Sequence, residues 1–387
     1  MAQIFGILIP LLIIALSSYI IWRSTNGFET AADYLGRNMS KGIKGATINA
    51  IASSMPEFLA TMFFLFYISN DGQFADSFSG GIGITAGSAV FNLVIIPVAI
   101  LFYFKFSGKY VRIPVDNALM KRDGLFLLAA NILMLLIIRK QMLGPLDGFL
   151  LLGFYLFYIL FLRSSMKKNP VVSEYRQPEI QHQDRLAAIF RLDIQSWIIG
   201  GRQIRPTLAW ILLLLSVIIM SLGTWLLVEG TSLLGKSDYT LFGQKLKGLN
   251  FPLIFASVLL SAAASSIPDT MISIRDSKKG NYDDSISNAL GSNIFDISFA
   301  LGLPLLLYTL IHGPLEMSAM VRMWSASIWM ILLLINIVVI AVFLSVKNLD
   351  WKAGLFLLAV YILFVFFVIE GSIHHEFITR ITGIFIR

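Results

Sequence analysis

The sequence predicts an all-α integral membrane protein with ten transmembrane helices arranged as two inverted five-helix repeats. Three observations carry that expectation. Of 387 residues, 57% are hydrophobic and only 14% charged, where soluble proteins carry about 25% charged residues. Ten stretches are apolar enough to span a bilayer, which takes about 20 residues each. Two short motifs recur in the second half of the chain in matched order.

The same composition excludes a soluble domain and a disordered chain, and the absence of Cys excludes a disulfide scaffold. The first expected span, 4–22, has no basic residue before it and no small-residue cleavage site, so it is expected to remain in the mature chain. Spans at 45–69, 80–104, 124–139 and 145–162 follow. A polar stretch from Arg163 to Arg205 precedes the remaining five, at 208–229, 251–275, 285–311, 323–346 and 353–371. The expected organisation is therefore a first repeat at 1–163, a linker at 164–207 and a second repeat at 208–387.

Basic residues set orientation, because they concentrate in cytoplasmic loops. Of the 30 Lys and Arg, 22 fall in the linker or in loops on its side, including Arg23, Lys105, Arg122, Lys278 and Lys347. The linker is expected to be cytoplasmic and both termini to lie outside. This bias accounts for the net charge of +7 without nucleic acid; the expected partners are inorganic cations and the bilayer, with a monomer kept open. A prokaryotic plasma membrane is preferred over an organelle membrane, given the short loops.

The internal repeat is explicit. Ala52-Ser53-Ser54-Met55-Pro56-Glu57 returns 212 positions later as Ala264-Ser265-Ser266-Ile267-Pro268-Asp269. Gly87-Ser88-Ala89-Val90-Phe91-Asn92 returns 204 positions later as Gly291-Ser292-Asn293-Ile294-Phe295-Asp296. With five spans per half, the second half enters from the opposite side, which inverts the repeat and gives an architecture used by secondary transporters.

Each motif has the chemistry of a cation site. Pro56 and Pro268 are expected to break their helices and free carbonyls near Ala52, Ser53, Ala264 and Ser265. Ser53 with Glu57, Ser88 with Asn92, Ser265 with Asp269, and Ser292 with Asp296 are i, i+4 pairs, each presenting two oxygen-bearing groups on one helical face. Oxygen ligands without Cys or convergent His suit a hard cation, Ca²⁺ or Na⁺, over zinc or copper. Glu57 and Asp269 together neutralise one Ca²⁺ or two Na⁺, and Asp296 either holds a further cation or is protonated. Protons are expected to compete with Ca²⁺ for these carboxylates.

These four motifs resemble the paired alpha repeats of the cation/calcium exchanger superfamily, in its sodium/calcium branch. Ser-Ser before Pro-Glu, Ala89, and Asp269 with Asp296 are similar to the potassium-dependent sodium/calcium exchangers. The resemblance covers roughly 45–97 and 253–304. It implies that Glu57 and Asp269 bind Ca²⁺ directly and alternate with Na⁺, helped by Ser53 and Ser265. It further implies that Ser54, Ser88, Ser266 and Ser292, with the carbonyls of Ala50 and Ala262, line flanking Na⁺ sites. Asn92 and Asp296 would sit at the centre, Asp296 at the position linked to K⁺. The implied function is Na⁺/Ca²⁺ antiport by alternating access, with K⁺ co-transport left open and an H⁺/Ca²⁺ exchanger on the same scaffold as the alternative. No prosthetic cofactor and no enzymatic activity are expected; the transported ions are Ca²⁺ and Na⁺, with K⁺ or H⁺ as open additions.

Other polar residues are expected to have structural or solvated roles. Asn293 falls off the Ser292–Asp296 face and is expected to bond between helices. His182, His312, His374 and His375 lie at span ends or in the linker and are expected to be solvated. The 376–387 tail is expected on the outer surface. A channel is disfavoured by the inverted repeat and an intramembrane aspartyl protease by the hydroxyl partner beside each carboxylate.

Overall fold

A computed structural model of the chain describes residues 2–37, 48, 50–68, 74–108, 113–165, 185–241, 243–278 and 282–374. The expected loop basics Lys41 and Lys44, linker residues 166–184 with His182, the 376–387 tail and His375 lie outside the described residues.

The chain is mostly helical. Helix α1 spans Ala2–Leu35 and α2 spans Ala50–Phe66; α3 (Phe74–Val90) runs through a π-helical turn at Phe91–Ile95 into α4 (Ile96–Phe106). After strand β1 (Ile113–Pro114) come α5 (Asn117–Ile138), β2 (Met142–Leu143) and α6 (Pro145–Ser165). Two short helices, α7 (Arg185–Phe190) and α8 (Ile194–Ile198), end the linker before α9 (Pro206–Gly235). Hairpin strands β3 (Asp238–Leu241) and β4 (Gln244–Lys247) lead to α10 (Leu253–Ala256), a π turn at Ser257–Ser261, α11 (Ala262–Ser265) and α12 (Ile267–Lys278). Helix α13 (Tyr282–Phe295) passes through a third π turn, Asp296–Ala300, into α14 (Gly302–His312). Strand β5 (Leu315–Glu316), α15 (Ala319–Ser345), β6 (Asn348–Leu349) and α16 (Trp351–Ile373) complete the described chain.

Among the described residues, eight helical stretches are long and apolar enough to cross a membrane, and α2 is apolar but shorter at 17 residues. The expected span at 124–139 is helical as α5, which also carries Lys121, Arg122 and Asp123 in its first turns. Polar side chains set several starts: the Asp116 carboxylate accepts from the backbone of Ala118 (2.8 Å) and Leu119 (3.2 Å) to cap α5, and Asp350 caps α16 in the same way.

Two expectations are corrected. The first helix does not end at 22: it is 34 residues long, about 50 Å at helical rise and longer than the ~30 Å hydrocarbon core. No Pro follows Trp22 within the helix, and the polar continuation is held by the linker, since Arg23 Nε donates to the Arg191 carbonyl at 2.7 Å and its guanidinium lies 3.7 Å from Asp193. Pro56 does not break α2 either. One backbone bond is lost there, the one the Ala52 carbonyl would accept, and the helix runs on through it; the Ser53 and Thr61 hydroxyls donate to the Ala50 and Glu57 carbonyls on either side (3.3 and 2.9 Å). The second repeat does break, at Ser266 between α11 and α12.

Helix α1 packs along α9, α5 against α15, α6 against α14 and α4 against α16. Glycines allow α3 its close approach to the 253–265 segment: a Cβ on Gly87 would stand 2.1 Å from the Val258 carbonyl oxygen and 2.5 Å from the Ala262 Cβ. Loops from the two halves pair as short antiparallel ladders, β1 with β6 and β2 with β5. The β3–β4 hairpin covers the start of α1, where the Tyr239 hydroxyl donates to the Gly6 carbonyl at 2.7 Å; burial raises the pKa of this phenol, which keeps it a donor.

Candidate functional site

The two motif pairs meet in the interior. Glu57 on α2, Asp296 at the start of its π turn, and Asp269 on α12 are 0%, 0% and 1% exposed. Ser53, Ser54, Ser88, Asn92, Ser265, Ser266 and Ser292 are buried with them, as are Ala50 and Ala262. A buried carboxylate is costly among apolar helices, so its partners matter.

Those partners cross between the halves of the chain. Ser88 Oγ donates to Glu57 Oε1 at 3.1 Å and lies 3.0 Å from Ser266 Oγ. Ser53 Oγ lies 2.9 Å from Ser292 Oγ. Ser265 sits beside Glu57, and Ser53 and Asn92 beside Asp269, so each half lends a hydroxyl to the other half's carboxyl. Ser54 sits beside Asp296. The contacts at Asp269 and Asp296 are loose, for neither carboxyl completes a hydrogen bond among the described residues.

Ala50 and Ala262 carbonyls accept from Ser53 and Ser265 at 3.3 and 3.2 Å. Asn92 Nδ2 donates to Ser88 Oγ (3.4 Å) and to Asn293 Oδ1 (3.3 Å), and Asn293 Nδ2 donates to the Ala89 carbonyl at 2.9 Å. Asn293 thus bonds between helices as expected, and it also adjoins the Asn92 amide. His312 and His374 are exposed.

The remaining oxygens define what the site can do. Glu57 Oε2, Asn92 Oδ1, Ser54 Oγ and both oxygens of Asp269 and of Asp296 are buried without a hydrogen-bond partner among the described residues. Unpartnered buried acceptors carry a desolvation cost of about 1–3 kcal/mol each, more when charged. A hard cation is the partner such a donor-poor, oxygen-rich interior suits. No three His, Asp or Glu side chains among the described residues converge closely enough to hold a metal by themselves. Hydroxyl and amide oxygens are therefore needed to complete coordination.

Two features escaped the sequence reading. The π turns at Phe91–Ile95 and Asp296–Ala300 begin at or beside Asn92 and Asp296; Pro97 and Pro304, which cannot donate to the preceding turn, are the one signal in sequence. Glu29 of α1 lies near enough to Asp269 to act on it electrostatically, and ending the first span at 22 had left it outside.

Human sodium/potassium/calcium exchanger 2 is 35% identical over 124 residues, covering 30% of this chain and 18% of that protein. Mouse sodium/potassium/calcium exchanger 4 is 32% identical over 125 residues, covering 31% and 20%. The matches thus span about a fifth of these relatives' length. Among solved structures, the H⁺/Ca²⁺ exchanger CAX superposes with a TM-score of 0.65 at 15% identity, covering 99% of this chain and 85% of that one. The sodium-calcium exchanger NCX_Mj gives 0.54 at 19% identity, covering 92% and 96%. Both likenesses are of fold. The family model described as sodium/calcium exchanger protein matches residues 9–163 and 208–370, both halves on either side of the linker, and so the chain belongs to the sodium/calcium exchanger protein family.

Proposed function

We propose that this protein is a multi-pass membrane antiporter that exchanges Na⁺ for Ca²⁺ by alternating access. The observation that carries the reading is the set of buried, unpartnered oxygens on Glu57, Asn92, Asp269 and Asp296, surrounded by serine hydroxyls. Glu57 and Asp269 hold Ca²⁺ and release it to Na⁺. Ser53 and Ser265 complete the coordination, and Ser54, Ser88, Ser266, Ser292 and the Ala50 and Ala262 carbonyls serve flanking Na⁺. Asp296 and Asn92 lie at the centre, and K⁺ co-transport runs through Asp296.

The proposed architecture is ten spans, α2 and α5 crossing with the other eight, as inverted repeats at 1–163 and 208–387 joined by the 164–207 linker. The exchange of partners supports it: α6 packs on α14 as α16 packs on α4, while α1 pairs with α9 and α5 with α15. The paired loops support the proposed sidedness. β1 and β6 lie in two loops assigned to the linker side, β2 and β5 in two loops assigned to the other. A cytoplasmic linker with outward termini follows, in a plasma membrane.

The test is Ca²⁺ uptake into proteoliposomes under an imposed outward Na⁺ gradient or an imposed pH gradient. Uptake that requires internal Na⁺ and does not respond to the pH gradient alone supports Na⁺ exchange. Uptake driven by the pH gradient in the absence of Na⁺ makes the proton the coupling ion, the second reading.

A further inference from the structure

The hydroxyls of the carboxylate site are continued by others that the exchange reading leaves unused. Ser257, Ser261 and Ser265 recur at every fourth position, a spacing that holds them on one helical side. Ser257 and Ser261 are wholly buried, as are Thr85 on α3 and Thr231 on α9. Ser261 Oγ lies 2.7 Å from Thr231 Oγ1. Ser257 Oγ and Thr85 Oγ1 have no hydrogen-bond partner among the described residues. Ser257 also abuts α3, since a Cβ on Gly83 would stand 3.0 Å from the Ser257 Cβ.

This column has two ends. One is Ser265, beside Glu57. The other is a cavity of about 600 Å³ lined by Ser77, Ser79, Ser232, Asp238, Asn250 and Ile254 among others. Ile254 precedes Ser257 by less than a turn, and Ser79 stands about 13 Å along α3 from Ser88. A serine that serves helix packing normally donates to a carbonyl or across the interface, and the buried Ser257 hydroxyl does neither among the described residues. Neutral oxygens at one-turn intervals replace a cation's hydration without trapping it by charge, as a permeation path requires.

We propose that Ser257, Ser261 and Thr231 line the passage by which a partly dehydrated Ca²⁺ or Na⁺ moves between this cavity and the carboxylate site. The passage is closed here. The Ser261–Thr231 hydrogen bond spans it, and Gly83 and Gly87 bring α3 against the backbone of Ile254 and Val258. Opening takes separation of the Ser257–Ser261 turn from α3. The inference rests on the exchange reading.

The chain contains no Cys, so single cysteines can be probed in the native background. Ser257→Cys and Ser261→Cys proteoliposomes are treated with a membrane-impermeant, cationic methanethiosulfonate on either side, under Na⁺ turnover conditions. Ser232→Cys marks the cavity side, and Ser216→Cys, buried where α1 meets α9, is the control. The expected result is modification of Ser257→Cys and Ser261→Cys from the side that modifies Ser232→Cys, slowed at least tenfold by saturating Ca²⁺ and abolishing uptake, with Ser216→Cys unreactive. Reactive Ser232→Cys with Ser257→Cys and Ser261→Cys no faster than Ser216→Cys overturns the passage, as does reaction from the opposite side alone. Na⁺-driven uptake by the unmodified variants separates this failure from failure of the exchange reading.

Discussion

Ser53 Oγ and Ser292 Oγ lie 2.9 Å apart across 239 positions of sequence, joining the first motif of one half to the second motif of the other. The relationship explains why the motifs come in pairs. A hydroxyl that seems placed for the carboxylate one turn away in its own helix instead contacts the opposite half.

Removing either hydroxyl should therefore disturb the same contact. Ser53→Ala and Ser292→Ala are each expected to weaken Ca²⁺ half-saturation by about fivefold, near 1 kcal/mol. The double variant should lose less than the product of the two, because one hydrogen bond is being counted twice. Uptake titrations of the four proteins measure the coupling; strictly multiplicative losses would break the assigned contact.

The proposed K⁺ step can be tested apart from Ca²⁺ binding at Asp296. In Asp296→Asn the central carboxylate becomes an amide, and Na⁺-driven Ca²⁺ uptake is expected to lose its stimulation by K⁺ while retaining dependence on internal Na⁺. The measurement is uptake with and without external K⁺ in both proteins. Equal K⁺ stimulation in the two would remove Asp296 from the K⁺ step.

On the proposed reading, protons and Ca²⁺ compete for the same oxygens. Lowering pH adds the competitor, so half-saturating Ca²⁺ should rise toward acid, by up to about tenfold per pH unit for each proton displaced. The maximal rate at saturating Ca²⁺ should change less. Initial rates across mildly acid to mildly alkaline buffers test this, and a half-saturation constant independent of pH would contradict it.

Tight packing of α3 yields a structural prediction. Gly87→Val would drive its Cβ into the Val258 carbonyl at 2.1 Å and should destabilise the protein by at least ~1–3 kcal/mol. Gly144→Ala, with nothing within 4 Å of the new carbon, should leave thermal stability unchanged. Thermal unfolding in detergent followed by size-exclusion distinguishes the two.

Much of this was legible before any coordinates. Carboxylates beside serines inside apolar stretches point to cation chemistry because burying them otherwise costs too much. The repeat offsets brought Ser53, Glu57, Ser265 and Asp269 together on paper. What sequence patterning could not convey was geometry set by tertiary packing. An i, i+4 spacing places Ser53 near Glu57 but does not reveal that Ser53 turns to Ser292 and Asp269. By propensity Pro56 reads as a helix breaker, whereas the packing of α2 against α3 and α9 holds it helical through the one lost bond. The length of α1 was missed for a related reason: hydropathy ends at Trp22, whereas the helix continues through Arg23 and Glu29, steadied by the linker at Arg191 and Asp193.

The most direct test of the account is equilibrium Ca²⁺ binding to the purified protein, compared with Glu57→Gln and Asp269→Asn. Both substitutions keep side-chain size and remove one negative charge from the buried oxygens. The account predicts saturable binding to the unaltered protein, displaced by Na⁺, and a loss of affinity of about 30-fold or more in each variant, as the loss of a buried charged partner worth roughly 2–5 kcal/mol requires. Undiminished, Na⁺-displaceable Ca²⁺ binding in both correctly folded variants would place the transported ion elsewhere and contradict it.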